Sequence, residues 1–415
     1  MFALIDIDSA YCAFESVFDP SIRGKPIIVC SVNDGAVIAR SKEAKALGIG
    51  MAQPVHEIPP EVRKQLVIRS ANFELYGSMS DRFYRIVQEA APRVERYSVD
   101  EQFFLADGIR DRRAFALQLV ERVKRYLGTN SCCGLGPSKT LAKAGNKLAK
   151  SGAVVVDLSD PSTHDEALAR LEVGDVWGVG RRWAPRLQAM GIRTARDLRD
   201  APPDQIGETF GVVLLRTQRE LQGRPCAGIE SEDPDRKSIM VSRSFGERVT
   251  DLDQVHEAVA TFASRACEKA RKGGLVAGAM QVHLATDVFR PDQRQHHPSC
   301  SFTFPVATSD TRLVLALARR MVEGIAKPGY AYKKAGVMLF DLARPDALQA
   351  DLFSPPTVGD EILMSTLDSI NKRFGRSTVK FAAAHARQDA PWRMKQRNLS
   401  PCYTTRLSDL PKVLC

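Results

Sequence analysis

Several features are missing from this 415-residue chain, and each absence narrows what it can do. No apolar run approaches the roughly 20 residues that a membrane-spanning helix needs, so no membrane partner is expected. The opening "MFALIDIDSAY" lacks the charged-then-apolar layout of a secretory signal. Nine cysteines are scattered without a C-x-x-C pair or a His/Cys cluster. That argues against a zinc site and for a reducing, cytoplasmic compartment. There is no internal repeat and no long low-complexity tract. What is present is a globular composition, 44% hydrophobic and 26% charged, with 59 basic residues against 49 acidic ones and a net charge of +10. The length allows about two to four domains. The basic excess favours a polyanionic partner such as nucleic acid.

Hydrophobic patterning divides the chain. "FALIDI" (2–7), "KPIIVCS" (25–31) and "GAVIARS" (35–41) read as strands, the last two joined by the turn signal Asn33-Asp34-Gly35. Helical patterns follow at 41–48, 72–90 and 111–128, the last ending at Gly128, with two short strands at 93–97 and 102–106. Strands interleaved with helices in this way predict an α/β or α+β domain, and the chain as a whole reads as α+β multidomain. Residues 166–230 read as helical, and Thr194 with Asp197 three residues on forms a capping signature. The polar stretch around 231–238 reads as a linker. Residues 239–343 then spell β-α-β-β-α-β, the split-βαβ ferredoxin-like order. A tail, 344–415, carries one helix with Leu363, Leu367, Ile370 and Phe374 on one face and Gly375 after it.

The chemistry is concentrated in a few places. "YSVDEQ" sets Asp100 and Glu101 side by side where two strands meet. Neighbouring strand residues point to opposite faces, so the two can share a site only at a bend such as a hairpin tip. Asp6 ends the first strand and Asp8 follows it. Carboxylates gathered from strand ends are what Mg²⁺ accepts, with substrate phosphates completing its shell. A solvated turn, with Asp8 only capping a helix, is the plainer alternative.

"GLGPSKTLAKAGNKLAK" (134–150) places Lys139, Lys143, Lys147 and Lys150 within one quarter of a helix surface, with no acid in the segment. Four cations without a local counter-charge point to phosphate binding. Its glycines do not match a P-loop. In "VWGVGRRWAPRLQAMGI", Gly178 and Gly180 precede a helix, which resembles a helix-hairpin-helix gripping a nucleic-acid backbone. Trp177, Trp183, Leu187 and Met190 are read as core.

These stretches, with "NDGAVIARSKEAKALGI", "SANFELYGSMSDR", "SRSFGERVTD", "YKKAGVML" and "LSPCYTTR", span nearly the whole chain and resemble the Y-family DNA polymerases, specifically the UmuC branch. The resemblance implies a right-hand polymerase: a palm at 1–10 and 78–165, small fingers at 11–77, a helix-hairpin-helix thumb at 166–230 and a little finger at 239–343. It implies that Asp6, Asp100 and the Ile7 carbonyl ligate two Mg²⁺ ions, with Glu101 completing the acidic site. Tyr11 matches the steric gate that excludes a 2′-hydroxyl. Lys150, and with it Lys45, matches the triphosphate-binding positions, while Lys139, Lys143, Lys147, Gly178 and Gly180 would contact DNA.

Three departures stand out, one of them Asp8, at a position where the resemblance implies a supporting rather than a ligating role. Ala10 replaces an aromatic that often precedes the gate, and "KEAK" (42–45) replaces Tyr-Glu-Ala-Arg, so that Lys45 keeps the charge but loses the bidentate fork. "QADLF" (349–353) resembles a clamp-binding peptide anchored by Gln349, Leu352 and Phe353. The implied activity is error-prone translesion synthesis in the SOS response. The implied partners are primer-template DNA, dNTP, a sliding clamp, a cleaved UmuD-type dimer and RecA. The rivals are another two-metal phosphoryl-transfer enzyme, such as a nucleotidyl cyclase, and a catalytically silent DNA-binding scaffold.

Overall fold

A computed structural model describes residues 1–230, 235–347, 358–375, 377–384 and 390–410. The chain forms two compact units, one of Met1–Ser31, Ala36–Asp233 and Asn398–Cys415, the other of Val32–Gly35 and Pro234–Arg397. In chain order the strands are β1 (Phe2–Ile7), β2 (Ile27–Cys30), β3 (Val37–Arg40), β4 (Val67–Ser70), β5 (Val94–Arg96), β6 (Glu101–Leu105), β7 (Ser131–Gly136), β8 (Val155–Asp157), β9 (Ser238–Val249), β10 (Val276–Thr286), β11 (Ser299–Thr308) and β12 (Tyr332–Ala343).

The first unit is built around the sheet β5-β6-β1-β7-β8, with β1 antiparallel to both neighbours and β7 parallel to β8. All six residues of β1 are buried, because both faces of the sheet are covered. Alternation sends Ala3, Ile5 and Ile7 into a cluster with the helices Phe73–Ala90 and Arg112–Leu127. Phe2 and Leu4 turn the other way, toward Phe103, Leu105 and Ala142 of the helix Lys139–Ala149. That helix lies unusually close to the strands. A Cβ at Gly134 would overlap the backbone of Ala142 and Asn146, and one at Gly136 would come 2.7 Å from the Leu141 Cβ. The glycines of "GLG" therefore serve close helix–strand packing. A second sheet, β3-β2-β4, pairs β2 antiparallel to β3 and parallel to β4; β2 and β3 are joined through Asn33 and Asp34, at φ 65° and 53°. Short helices between His164 and Leu221 enclose their own core, including Leu168, Leu187, Leu198, Ile206 and Leu214. The predicted Thr194–Asp197 capping box opens the helix Ala195–Asp200.

In the second unit the sheet order is β11-β10-β12-β9, antiparallel throughout. Each crossover helix, Leu252–Lys272 and Thr311–Ile325, joins two parallel strands with a third between them, so the split-βαβ expectation is met twice. In the ferredoxin arrangement the first and third strands are central; here the second and fourth are.

Three strands escape the sequence reading: β4, β7 and β8. The tail helix, Val358–Phe374, forms and stops before Gly375 at φ 107°, but its expected face packs only in part, with Leu367 and Ile370 half-buried. Leu363 and Phe374 are exposed, whereas Met364 is buried and Asp368 pairs with Arg271 at 2.7 Å. The clamp-like residues Gln349, Leu352 and Phe353 lie outside the described residues.

Candidate active site

The three acids stand at one end of neighbouring strands. Asp6 is in register with Glu101 across β1 and β6, and the Ile7 amide donates to the Asp100 carbonyl at 3.0 Å. The β5–β6 hairpin bends at Tyr97–Asp100, as the adjacent carboxylates required. Ser98 fixes the bend: its hydroxyl accepts from the Glu101 amide at 2.9 Å and donates to Asp100 Oδ1 at 2.6 Å. Asp8 sits beside this end, accepting from the Cys132 thiol at 3.7 Å.

Two of the three carboxylates face a lysine. Lys150 Nζ lies 2.8 Å from Asp6, which is only 4% exposed. Lys143 Nζ lies 2.9 Å from both oxygens of Glu101. Burial pushes the Asp6 carboxyl up to about 7; Lys150 opposes this, while Glu101 and Asp100 reinforce it. Among the described residues no three His, Cys, Asp or Glu side chains converge closely enough to hold a metal ion. The donor chemistry nevertheless fits a hard divalent cation: Asp6, Asp100, Glu101 and the Ile7 carbonyl offer only oxygen, and the Asp6 carboxyl, raised chiefly by burial, is a desolvated charge that a cation would stabilise.

The lysine stripe is real, but its counter-charges come from other elements. Lys139 is buried and pairs with Glu95 at 2.5 Å, which corrects its expected role: it supports the fold and does not face DNA. Lys143 is half-buried in an aromatic box, its ammonium 4.3 Å from the Tyr97 ring and 5.6 Å from Trp177. Lys147 pairs with Asp175 at 2.9 Å and remains half exposed. Trp177, read as core from the sequence, instead lines a cleft of about 120 Å³ with Asp6, Glu101, Lys143, Lys147 and Lys150, and donates to the Tyr97 hydroxyl at 3.0 Å. Leu187 is buried as expected, with Trp183 and Met190 partly buried against its cluster.

Tyr11 opens the helix Ala10–Phe18 just after β1. Its ring stacks on Tyr76 with centroids 4.5 Å apart and planes 14° apart, and Phe73 meets it edge-on at 6.1 Å. Asp100 helps raise the Tyr11 phenol, second to burial, which places the acid near the ring. Lys45, one turn into the helix Lys42–Ala46, donates to Ser9 at 3.3 Å and thus approaches the same end of β1. In the hairpin, Gly178 needs its left-handed φ of 88°; Gly180 has no such φ, and nothing lies within 4 Å of where its Cβ would be. The sequence reading missed Ser98, Tyr97 and Trp177. The only available signal was their proximity in sequence to acids and glycines.

Comparison with known proteins gives the family of the chain. Residues 5–147 match the impB/mucB/samB family, 236–352 match its C-terminal domain, and 361–413 match a domain of unknown function (DUF4113). The chain is 40% identical to Protein ImpB of Salmonella typhimurium, with 99% of each chain covered, and 40% identical to Protein UmuC of Salmonella typhimurium strain LT2, with 100% of each covered. DNA polymerase IV of Desulfatibacillum aliphaticivorans is 27% identical, with 91% of this chain and 95% of that protein covered. A Y-family polymerase chimera of Dbh and Dpo4 shares the fold at a TM-score of 0.64 and 18% identity, covering 82% of this chain and 99% of its own. The chain belongs to the impB/mucB/samB family and is a DNA-directed DNA polymerase of the UmuC type within the Y family.

Proposed function

We propose that this polymerase performs translesion synthesis, adding a nucleotide from a dNTP to a primer 3′-hydroxyl opposite damaged template bases. The observation that carries the reading is the set of Asp6, Asp100 and Glu101 at one end of β1 and β6, with Lys143 and Lys150 against them. Asp6, Asp100, Glu101 and the Ile7 carbonyl would hold two Mg²⁺ ions, which when bound lower the pKa of the attacking hydroxyl and neutralise charge on the reacting phosphates. Lys150, with its side chain 39% exposed, presents its outer side to the triphosphate, and Lys45 adds a second positive charge. Tyr11 would lie under the sugar and reject a 2′-hydroxyl. Lys143, held among the Tyr97, Phe103 and Trp177 rings, would orient Glu101. Lys147 and the Gly178–Gly180 turn would grip the phosphate backbone, a contact that positions DNA without reading sequence.

The resemblance to the UmuC branch implies a place in the SOS response, with a cleaved UmuD-type dimer, RecA and a sliding clamp as partners, the clamp engaged through Gln349, Leu352 and Phe353. Primer extension with each partner omitted in turn tests this. Bypass that collapses without the RecA filament or the UmuD-type dimer supports the assignment. Undiminished bypass by the chain alone removes those partners from it. Leu352→Ala with Phe353→Ala should shorten the products made with the clamp and leave those made without it unchanged.

A further inference from the structure

The last described stretch, 398–410, has no part in the reading above, and it falls in the matched domain of unknown function. It packs within the first unit. Asn398 and Leu399 run beside β4, with the Ser70 amide donating to the Asn398 carbonyl at 3.0 Å. Asn72 donates to the Ser400 carbonyl at 2.9 Å. Tyr403 stacks on Phe18, centroids 4.9 Å apart, and Arg406 pairs with Glu74 at 2.8 Å. At the centre, the Ser400 hydroxyl donates to Glu15 Oε1 at 3.0 Å, and the Tyr76 hydroxyl donates to the same oxygen at 2.7 Å. Ser400, Glu15, Asn72 and Tyr76 are all buried.

We propose that residues 398–410 are a buttress for the sugar gate: Ser400, acting through Glu15 and Tyr76, positions the Tyr11 ring and so sets discrimination against ribonucleotides. This rests on reading Tyr11 as the gate. Tyr11 is covered from behind by the Tyr76 ring, so the gate is only as rigid as Tyr76. Tyr76 is aimed by its bond to Glu15, a buried carboxylate on the same helix as Tyr11, one turn along. A buried carboxylate is costly unless donors satisfy it, and one of its donors arrives from 385 residues away. Arg69 stands 3.7 Å from the other carboxylate oxygen, so removing the Ser400 hydroxyl leaves Oε1 to Tyr76 and lets the carboxylate turn toward Arg69, and the Tyr76–Tyr11 stack shift with it. A steric gate acts on one oxygen atom, so a displacement well under 1 Å is felt in selectivity.

The test is single-nucleotide insertion by the full chain with its partners, comparing kcat/KM for a ribonucleotide and the matching deoxyribonucleotide. Tyr11→Ala reports on the gate itself and should relax discrimination most. Ser400→Ala and Tyr76→Phe should each raise the ribonucleotide-to-deoxyribonucleotide ratio by about tenfold, the scale of one lost bond to a charged group. Together they should do no more than the larger single change, because they act through one carboxylate. Ser400→Thr, which keeps the hydroxyl, should restore the wild-type ratio. If Ser400→Ala melts too low for kinetics, Tyr76→Phe carries the same readout. Should Tyr11→Ala relax discrimination while Ser400→Ala and Tyr76→Phe leave the ratio unchanged, the buttress is overturned and the gate stands. An unchanged ratio in Tyr11→Ala overturns the gate, and the buttress with it.

Discussion

Lys143 holds Glu101 by both carboxylate oxygens, at 2.9 Å each, from a helix that the glycines of "GLG" allow to lie against the strands. The pair gives Glu101 one direction before any substrate arrives. Lys143→Met, which keeps the stem and loses the charge, should lower kcat by about 10–100-fold with a smaller change in KM for DNA. Steady-state insertion kinetics read this directly. An unchanged kcat would mean that Glu101 needs no orienting partner.

The close approach of that helix predicts a sharp contrast between two glycines. Gly134→Ala pushes a methyl group into the backbone at Ala142 and Asn146 and should destabilise the chain by roughly 3 kcal/mol. Gly180→Ala has open space and should stay within about 0.5 kcal/mol. Urea unfolding separates the two. If the hairpin grips DNA, Gly180→Ala should weaken binding despite its intact fold.

The lysines of the stripe should divide the same way. Lys139→Ala leaves a buried Glu95 without its counter-charge, the Glu230 amide still donating at 2.8 Å, and should cost roughly 3 kcal/mol of stability. Lys147→Ala breaks an exposed pair, worth at most about 1 kcal/mol. Its effect should appear instead in DNA affinity, with the salt-dependence slope reduced by about 1. Thermal melts and binding measured across a salt series test both halves.

The Asp6 carboxyl, raised to about 7 chiefly by burial, predicts how Mg²⁺ binding depends on pH. Only the ionised carboxylate ligates, so a proton must leave as the cation enters below that pH. Apparent Mg²⁺ affinity should therefore rise with pH up to about 7 and level off above it. Calorimetric titration at pH 6 and pH 8 checks the sign; tighter binding at pH 6 would contradict it.

How much of this was legible in the sequence depended on whether the signal was local. "FALIDI" and "YSVDEQ" were readable because strand runs, turns and adjacent acids are properties of a few consecutive residues. So was the Thr194–Asp197 box. β7, "SCCGLG", escaped because a strand buried on both faces loses its alternation, and its glycines imitate a loop. The three residues of β8 were too few to show a period. The lysine stripe looked unpaired because its partners, Glu95, Glu101, Asp175 and Asp6, arrive from other elements. The tail helix was placed correctly, but its packed face turns from Leu363 toward Met364 and Asp368, and Asp368 meets Arg271, a partner about a hundred residues away. Ser400 is the extreme case, since nothing near it in sequence predicts a bond to Glu15.

The most direct test of the account is primer extension across an abasic template with Mg²⁺, dNTPs and the partner proteins, comparing the native chain with Asp100→Ala. The account predicts extension past the abasic site by the native chain, and loss of that extension in Asp100→Ala with folding and DNA binding intact. Extension that survives Asp100→Ala, or its absence from the native chain while DNA binding persists, would contradict it.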